Sequence, residues 1–185
     1  MVKESFKTIS ELEAGLDEVR RSPKDEGHLE MIICRPANGE RRLLSEGRLD
    51  LAEGLLGDNW RARGSSSAPD GSANPEAQIT IMNSRAATLV AQSQERWQLA
   101  GDQLIIDLDV SAANLRPGTR LAIGQAILEV TAKPHTGCKK FVGHFGLAAM
   151  EFVNSPVGRE LCLRGINARV IRPGTIRVGD VVRKS

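Results

Sequence analysis

Two short segments of the same form constrain the fold of this chain more than any other feature of its sequence. Arg116-Pro117-Gly118-Thr119 and Arg172-Pro173-Gly174-Thr175 are each followed by a short apolar run and then by a glycine, Gly124 or Gly179. Proline at the second position and glycine at the third predict a type II turn, because proline fixes φ and glycine tolerates a positive φ. Two such turn–strand–turn–strand units predict a compact barrel of short strands.

Length and composition fit one globular unit and disfavour nucleic-acid binding. A chain of 185 residues can bury one full hydrophobic core, so we expect a single domain over residues 1–185. Its four Phe, two Trp and absent Tyr leave few aromatic rings on which bases could stack. A net charge of only +2 gives no extended basic surface, so the sequence predicts no nucleic-acid partner.

Cysteine usage and hydropathy predict a cytoplasmic protein. The three cysteines, Cys34, Cys138 and Cys162, are odd in number and widely spaced, which does not suit a disulfide framework. The N-terminal segment carries acidic residues and lacks the apolar stretch of a signal peptide. No run approaches the roughly 18 apolar residues that a membrane-spanning helix needs, so no membrane association is expected.

Hydrophobic periodicity predicts a mainly β fold, barrel-like, with a few peripheral α-helices; an α+β arrangement is the alternative. Residues 1–27 are interpreted as an N-terminal helical extension, and the Gly/Ser/Pro-rich residues 64–77 as a mobile loop. Helices are predicted at residues 8–22, 49–56, 85–94 and 145–153. Strands are predicted at residues 28–34, 41–44, 78–82, 103–108, 121–123, 126–131, 168–171 and 176–182.

Residues 131–141 are the most informative segment for chemistry. Here Cys138 follows Gly137 and precedes two lysines in a polar turn, and His135 lies three residues earlier. Neighbouring cations favour the thiolate, which is both a nucleophile and a ligand for soft metals. The alternative is an inert, buried cysteine, which is common for free thiols. His135 and Cys138 alone make only half of a zinc site, which needs four ligands.

Arginines cluster in two further places, and the common nucleotide and hydrolase motifs are missing. Arginine forks suit phosphate or carboxylate groups, although exposed arginines most often serve as solvated surface charge. The sequence contains no P-loop, G-x-G-x-x-G, H-E-x-x-H or G-x-S-x-G motif. The clustered arginines are Arg61 and Arg63 beside the loop, and Arg159, Arg164 and Arg169 around Gly165-Ile166-Asn167.

An ordered set of short motifs over about residues 30–183 resembles the MOSC domain, the C-terminal domain of molybdenum cofactor sulfurases. The Cys138 segment and the apolar strand before it resemble the core motif of that family. The other matching pieces, in order, are Leu55-Leu56-Gly57-Asp58, Gln78-Ile79-Thr80-Ile81-Met82, Gly101-Asp102-Gln103-Leu104, Arg120 to Gly124, and Ala168-Arg169-Val170 to Gly179-Asp180.

The resemblance implies a β-barrel-like fold and a working cysteine at Cys138. That cysteine would carry sulfur as a persulfide or coordinate the molybdenum of a molybdopterin cofactor. Two departures are visible: Gly-Asp-Gln-Leu stands where many members have G-E-N-L, and residues 64–77 replace a His-rich stretch. No pyridoxal phosphate is expected, because no domain for it precedes this one. The implied cofactor-binding residues are His135, Thr136, Lys139, Arg61, Arg63, Asp102, Gln103, Arg164 and Asn167.

Three functions stay open from the sequence. The first is a molybdenum-dependent oxidoreductase that reduces N-hydroxylated compounds with a redox partner protein. The second is a sulfur carrier that receives sulfur from a cysteine desulfurase and has no turnover of its own. The third is a non-catalytic binding barrel that retains only the fold. The sequence does not indicate the oligomeric state.

Overall fold

The computed structural model describes residues 5–185, which form short strands and short helices. The strands are β1 (Glu26–Cys34), β2 (Arg42–Leu44), β3 (Glu46–Asp50), β4 (Gly54–Leu55), β5 (Ile79–Asn83), β6 (Leu104–Asp107), β7 (Arg120–Ile123), β8 (Ala126–Val130), β9 (Ile166–Arg172), β10 (Gly174–Arg177) and β11 (Val181–Lys184). The α-helices are α1 (Ile9–Ala14), α2 (Leu16–Arg20), α3 (Trp60–Arg63), α4 (Ser84–Ala91), α5 (Lys139–Phe145), α6 (Leu147–Asn154) and α7 (Pro156–Glu160). Two 3₁₀ helices span Pro75–Ala77 and Gln94–Ala100.

Seven of the strands close into a barrel, which confirms the predicted fold class. They are hydrogen-bonded in the order β11-β7-β8-β9-β5-β6-β1, and β1 pairs back with β11 to complete the ring. The β5–β6 pair is parallel and the other pairs of the ring are antiparallel. β2 extends the sheet from β1, and β10, β3 and β4 form a separate three-stranded sheet.

The barrel strands bury apolar side chains on both faces, which produces two cores. In β1, Leu29 and Ile32 belong to the core inside the barrel. From the same strand, Met31 and Ile33 pack in a second core with the helices on the outside. Alternate residues of a strand point to opposite faces, and a β-bulge between Leu29 and Met31 shifts the alternation so that Leu29 and Ile32 share the inner face.

The predicted N-terminal helix is present as two short helices, α1 and α2. Thr8 caps α1 in a capping box with Glu11, and both partners of the box are formed. Gly15 separates the two helices at a close approach, because a Cβ atom there would collide with the Leu89 side chain of α4. Leu12 and Leu16 anchor the pair in the outer core. Residues 1–4 of the predicted extension lie outside the described residues.

Of the two predicted type II turns, the first is confirmed and the second is wrong. Gly118 has φ +89°, and the Thr119 N–H donates to the Arg116 carbonyl at 2.9 Å. Gly174 instead begins strand β10 with extended backbone. A Cβ atom there would lie 2.7 Å from Gln125, so glycine is needed for close backbone approach and not for a turn.

The predicted helix at residues 49–56 is also wrong, because this segment forms the β3–β4 hairpin. Leu49 pairs with Leu55 across the hairpin. The Asp50 carboxylate accepts the N–H groups of Ala52 and Glu53, which turns the chain. The leucine spacing resembles a helical face, but the aspartate turn separates the leucines onto two strands.

Two further predictions had the right element type and the wrong bounds. The single strand predicted at residues 176–182 is divided between β10 and β11 by a turn at Gly179, where φ is +95°. The helix predicted at 145–153 is preceded by a further helix, α5, and Gly146 with φ +89° separates α5 from α6.

The Gly/Ser/Pro-rich residues 64–77 contain local turns and one turn of 3₁₀ helix. The Ser65 N–H donates to the Gly71 carbonyl at 3.3 Å, and the Ala68 N–H donates to the Ser65 carbonyl at 3.2 Å. Mobility of this loop stays a prediction. None of the helices within residues 5–185 has the length and apolar composition needed to cross a bilayer.

Candidate functional site

Residues 131–138 connect β8 to α5 and take part in the walls of two neighbouring clefts. The first, the cysteine cleft, includes Cys138 and has a volume of about 490 Å³. The second, the apolar cleft, includes Cys162 and has a volume of about 540 Å³. Six residues line both clefts: Lys133, Pro134, His135, Thr136, Arg164 and Asn167.

Cys138 is exposed in the cysteine cleft and directly precedes the first residue of α5. Two contacts hold this position. Phe141 and Phe145 of α5 are buried edge to face, with ring centroids 4.8 Å apart. The Asn154 side chain accepts the Gly137 N–H at 2.9 Å and donates to the Gly137 carbonyl at 3.3 Å. The thiol therefore stands on an anchored backbone and is open to a ligand.

The cysteine cleft is strongly basic. Its lining carries one acidic residue, Glu40, against six cations, counted over residues 5–185. Buried carboxylates behind the wall neutralise two of these cations, because Arg35 pairs with Asp58 and Arg164 pairs with Asp102. The other four cations give the cleft a positive potential that attracts an anionic ligand. The cations are Arg35, Arg41, Arg63, Lys133, Lys140 and Arg164.

A buried carboxylate ties the wall of the cleft together. Asp102 is fully buried, and its Oδ1 lies 2.9 Å from Nε2 of His135. Nη1 of Arg164 donates to its Oδ2 at 2.6 Å, and Nη2 of Arg164 donates to the Ala100 carbonyl at 2.7 Å. The Arg164 guanidinium also lies 5.2 Å from the centre of the Phe141 ring, which links the network to α5.

This network fixes the protonation of His135. Burial is the largest single influence and would raise the pKa of Asp102, but the charges and hydrogen bonds of Arg164 and His135 together outweigh it, so the pKa is lowered and the carboxyl group is ionised. Burial and the Arg164 cation lower the pKa of His135, and Asp102 opposes them only in part. Because a carboxylate can only accept, neutral His135 carries its proton on Nε2 and keeps a lone pair on Nδ1.

A second network explains the residues at the Gly57-Asp58 and Gly101–Leu104 motifs. Arg35 donates to both oxygens of the buried Asp58 carboxylate at 2.9 Å. Gln103 is fully buried, and its Oε1 accepts the Thr80 N–H at 2.8 Å and the Thr80 hydroxyl at 2.6 Å. Its Nε2 donates to the Gln78 carbonyl at 3.1 Å. The side-chain amide of Gln103 therefore forms its hydrogen bonds with other residues of the protein.

The structure brings six of the predicted site residues to the cysteine cleft and leaves four outside its lining. Asp102 and Gln103 lie buried behind the wall. Arg61 is exposed and forms an ion pair with Glu53, and Lys139 is exposed beside the cleft. The six lining residues are Cys138, His135, Thr136, Arg63, Arg164 and Asn167.

Sequence reasoning missed several polar residues of the lining. Lys140 lies in the same segment as Cys138 and could have been found there, and its Nζ donates to Asn38 Oδ1 at 3.0 Å. Lys133 lies in that segment too, whereas the others come from distant segments that only the barrel brings together, so no local pattern marks them. The missed residues are Arg35, Asn38, Arg41, Asn59, Lys133 and Lys140.

Three lining residues hold buried polar atoms without a partner. Within residues 5–185, no hydrogen bond reaches Nε of Arg41, Oδ1 of Asn59 or Nε of Arg164. An unpaired buried polar atom is costly, and such atoms mark places where a ligand or water completes the bonding. The three atoms therefore fit a polar ligand in the cysteine cleft.

The donor set of the cleft fits a metal that arrives with its own ligands. No three His, Cys, Asp or Glu side chains converge as metal ligands anywhere in the described residues 5–185. A thiolate is nevertheless a good single ligand for a soft metal. Cys138 is the exposed thiol of this cleft.

Comparison with known proteins agrees with this geometry. The family model of the MOSC domain matches residues 58–183, which include the Cys138 segment. No curated protein matches the sequence closely enough to count as a relative.

Solved structures of bacterial proteins share the fold. YuaD from Bacillus subtilis superposes with a TM-score of 0.62 at 16% identity, over 85% of this chain and 94% of YuaD. YiiM from Escherichia coli superposes with a TM-score of 0.54 at 18% identity, over 85% of this chain and 69% of YiiM. YiiM from Geobacillus stearothermophilus gives 0.52 at 11% identity, over 89% and 74%.

These identities establish a common fold and nothing finer. The family match is more informative, because it spans more than half of the chain and includes the cysteine segment and every barrel strand except β1. The chain therefore belongs to the MOSC domain family.

Proposed function

We propose that the cysteine cleft binds an anionic molybdopterin-type cofactor with Cys138 as the protein ligand to molybdenum, and that the loaded protein reduces N-hydroxylated compounds. The observation that carries the proposal is an exposed thiol in a cleft whose lining has one acidic residue and four cations beyond the two that pair with buried carboxylates. The phosphate of such a cofactor needs cations, and its metal needs a soft ligand.

The lining divides into groups that suit different parts of the cofactor. Arg41, Arg63 and Lys140 would hold the phosphate, since the described residues provide no carboxylate within ion-pair distance of them. Asn59 Oδ1 would accept from an N–H of the pterin ring, because it is buried and unpaired in the protein alone. When bound, the cofactor would supply a metal that exchanges electrons and an oxygen atom with the substrate.

His135 would handle protons for the reaction. Reduction of an N–OH group to N–H consumes two electrons and two protons and releases water, so a proton source beside the substrate is required. The Nε2–H of His135 is committed to Asp102, which leaves Nδ1 to accept and pass on a proton. Asp102 and Arg164 would act as positioning residues that keep this tautomer. A redox partner protein would supply the electrons.

Molybdenum content tests the proposal directly. The wild-type chain and the Cys138→Ser and Cys162→Ser variants are purified from a host that makes the cofactor, and molybdenum per chain is measured. We expect wild type and Cys162→Ser to retain molybdenum and Cys138→Ser to lose at least about tenfold, because a serine hydroxyl is a poor ligand for a soft metal. With a chemical reductant as the electron source, the rate at which the protein reduces an N-hydroxylated base should fall in parallel for Cys138→Ser. Equal molybdenum in wild type and Cys138→Ser would refute the role of the thiolate.

A sulfur-carrier function is the second candidate, favoured by the exposure of the Cys138 thiol. A cysteine desulfurase with L-cysteine would transfer one sulfur atom to this thiol as a persulfide. Mass spectrometry should find one added sulfur on the Cys138 peptide and none on the peptide of buried Cys34. Absence of sulfur at Cys138 excludes the carrier function. A non-catalytic barrel is less favoured, because its cysteine has no reason to be exposed in a basic cleft.

A further inference from the structure

The apolar cleft has the size and walls of a separate small-molecule site. Its volume of about 540 Å³ lies within the range of roughly 300–1,000 Å³ that is usual for ligand pockets. Its walls include the apolar side chains of Leu115, Val130, Val153 and Ile166. It shares His135 and other wall residues with the cysteine cleft but contains neither Cys138 nor the cations Arg41, Arg63 and Lys140.

The charges at this cleft have one sign. Lys133, Arg159 and Arg164 line it, and no acidic residue does so among residues 5–185. Arg164 is neutralised by Asp102, but no described carboxylate lies within ion-pair distance of Lys133 or Arg159. Nε of Arg159 donates to the Asn154 carbonyl at 3.0 Å, which holds its guanidinium at the cleft. The lining therefore complements a ligand with an apolar body and one anionic group.

Cys162 adds an apolar, polarisable surface to the same cleft. Its φ of +49° lies in the left-handed region, where glycine is the favoured residue. The sequence therefore has a cysteine side chain at a position where the backbone conformation disfavours any side chain. Burial raises the pKa of the Cys162 thiol, which keeps it neutral at pH 7. A neutral thiol makes favourable contacts with an aromatic ring.

We propose that the apolar cleft binds a small aromatic carboxylate. Its ring would lie against Leu115, Val130 and Ile166, and its carboxylate would pair with Arg159. Binding needs neither the cofactor nor Cys138, so the proposal stands apart from the proposed function and is tested on the metal-free full-length chain.

Calorimetric titration with 2-naphthoate and with the uncharged 2-naphthamide tests the site. Ala132 is exposed in the lining, so Ala132→Phe should fill the cleft and weaken binding of both ligands at least about tenfold. Arg159→Gln should weaken naphthoate about five- to tenfold and leave naphthamide unchanged. Arg169→Gln is the matched control, because Arg169 is an exposed arginine paired with Glu129 outside both clefts.

Thiol reactivity gives a second measurement that does not depend on how well Ala132→Phe folds. In the Cys138→Ser variant, naphthoate should slow alkylation of Cys162 in proportion to its occupancy, while Cys34 stays buried and unreactive. Three results would overturn the proposal: no naphthoate binding by wild type up to millimolar concentration, equal binding by folded Ala132→Phe, or alkylation of Cys162 that saturating naphthoate does not slow.

Discussion

At the scale of single residues, the site depends on charged side chains that are far apart in the sequence. Asp102 and Arg164 are distant in the chain, yet they meet at 2.6 Å behind the wall and determine which nitrogen of His135 carries the proton. The sequence predicted that these residues serve the site. It could not predict that Asp102 acts from a buried position, because burial depends on packing across the barrel.

The lowered pKa of His135 predicts an acid-sensitive contribution to stability. In the unfolded chain the histidine takes up a proton below about pH 6.5, whereas the folded state resists it, so acidification favours unfolding. This contribution is fully present above that pH and shrinks by up to about 1.4 kcal/mol per pH unit below it. The lowered pKa of Asp102 acts in the same direction at lower pH, since its contribution is lost as pH falls through the folded-state pKa.

Replacement of His135 by glutamine isolates the effect. Glutamine keeps an N–H donor for Asp102 but does not titrate. Between pH 6.5 and 5.5 the unfolding free energy of the variant should therefore fall less than that of wild type, by a difference of up to about 1 kcal/mol. Urea denaturation at each pH measures the difference. The exposed His28→Gln variant is the control and should follow wild type. Parallel pH dependences of wild type and His135→Gln would contradict a histidine that is neutral in the folded state.

At the scale of elements, prediction succeeded where residue type and period agree. The apolar strands β1, β5 and β8 were found from their composition. It failed where one residue type is compatible with two structures. Gly174 was predicted in a turn but allows close packing in a strand, and Asp50 forms a turn between leucines whose spacing predicted a helix. Helix α5 was missed because its glycine and polar residues obscure the helical spacing of the buried Phe141 and Phe145.

At the scale of the whole molecule, closure of the barrel is what brings the distant wall segments into one cleft. The repeated Arg-Pro-Gly-Thr segments and the ordered family motifs predicted a barrel, but neither indicates which strands form the seam. In the structure the last strand, β11, pairs with both β1 and β7, so the end of the chain completes the ring. The seam is a long-range pairing that no local pattern encodes.

Two adjacent valines of β11 provide a test of that seam. Val182 is fully buried and pairs with Gly27 on one side and Ile123 on the other, whereas Val181 is 39% exposed. Val182→Asp would place an unpaired carboxylate inside the barrel and should lower the unfolding free energy by several kcal/mol, roughly 3 or more. Val181→Asp introduces the same charge at the neighbouring, exposed position and should change it by no more than about 0.5 kcal/mol. Chemical denaturation of both variants measures the contrast, and equal effects would mean that β11 does not close the barrel in solution.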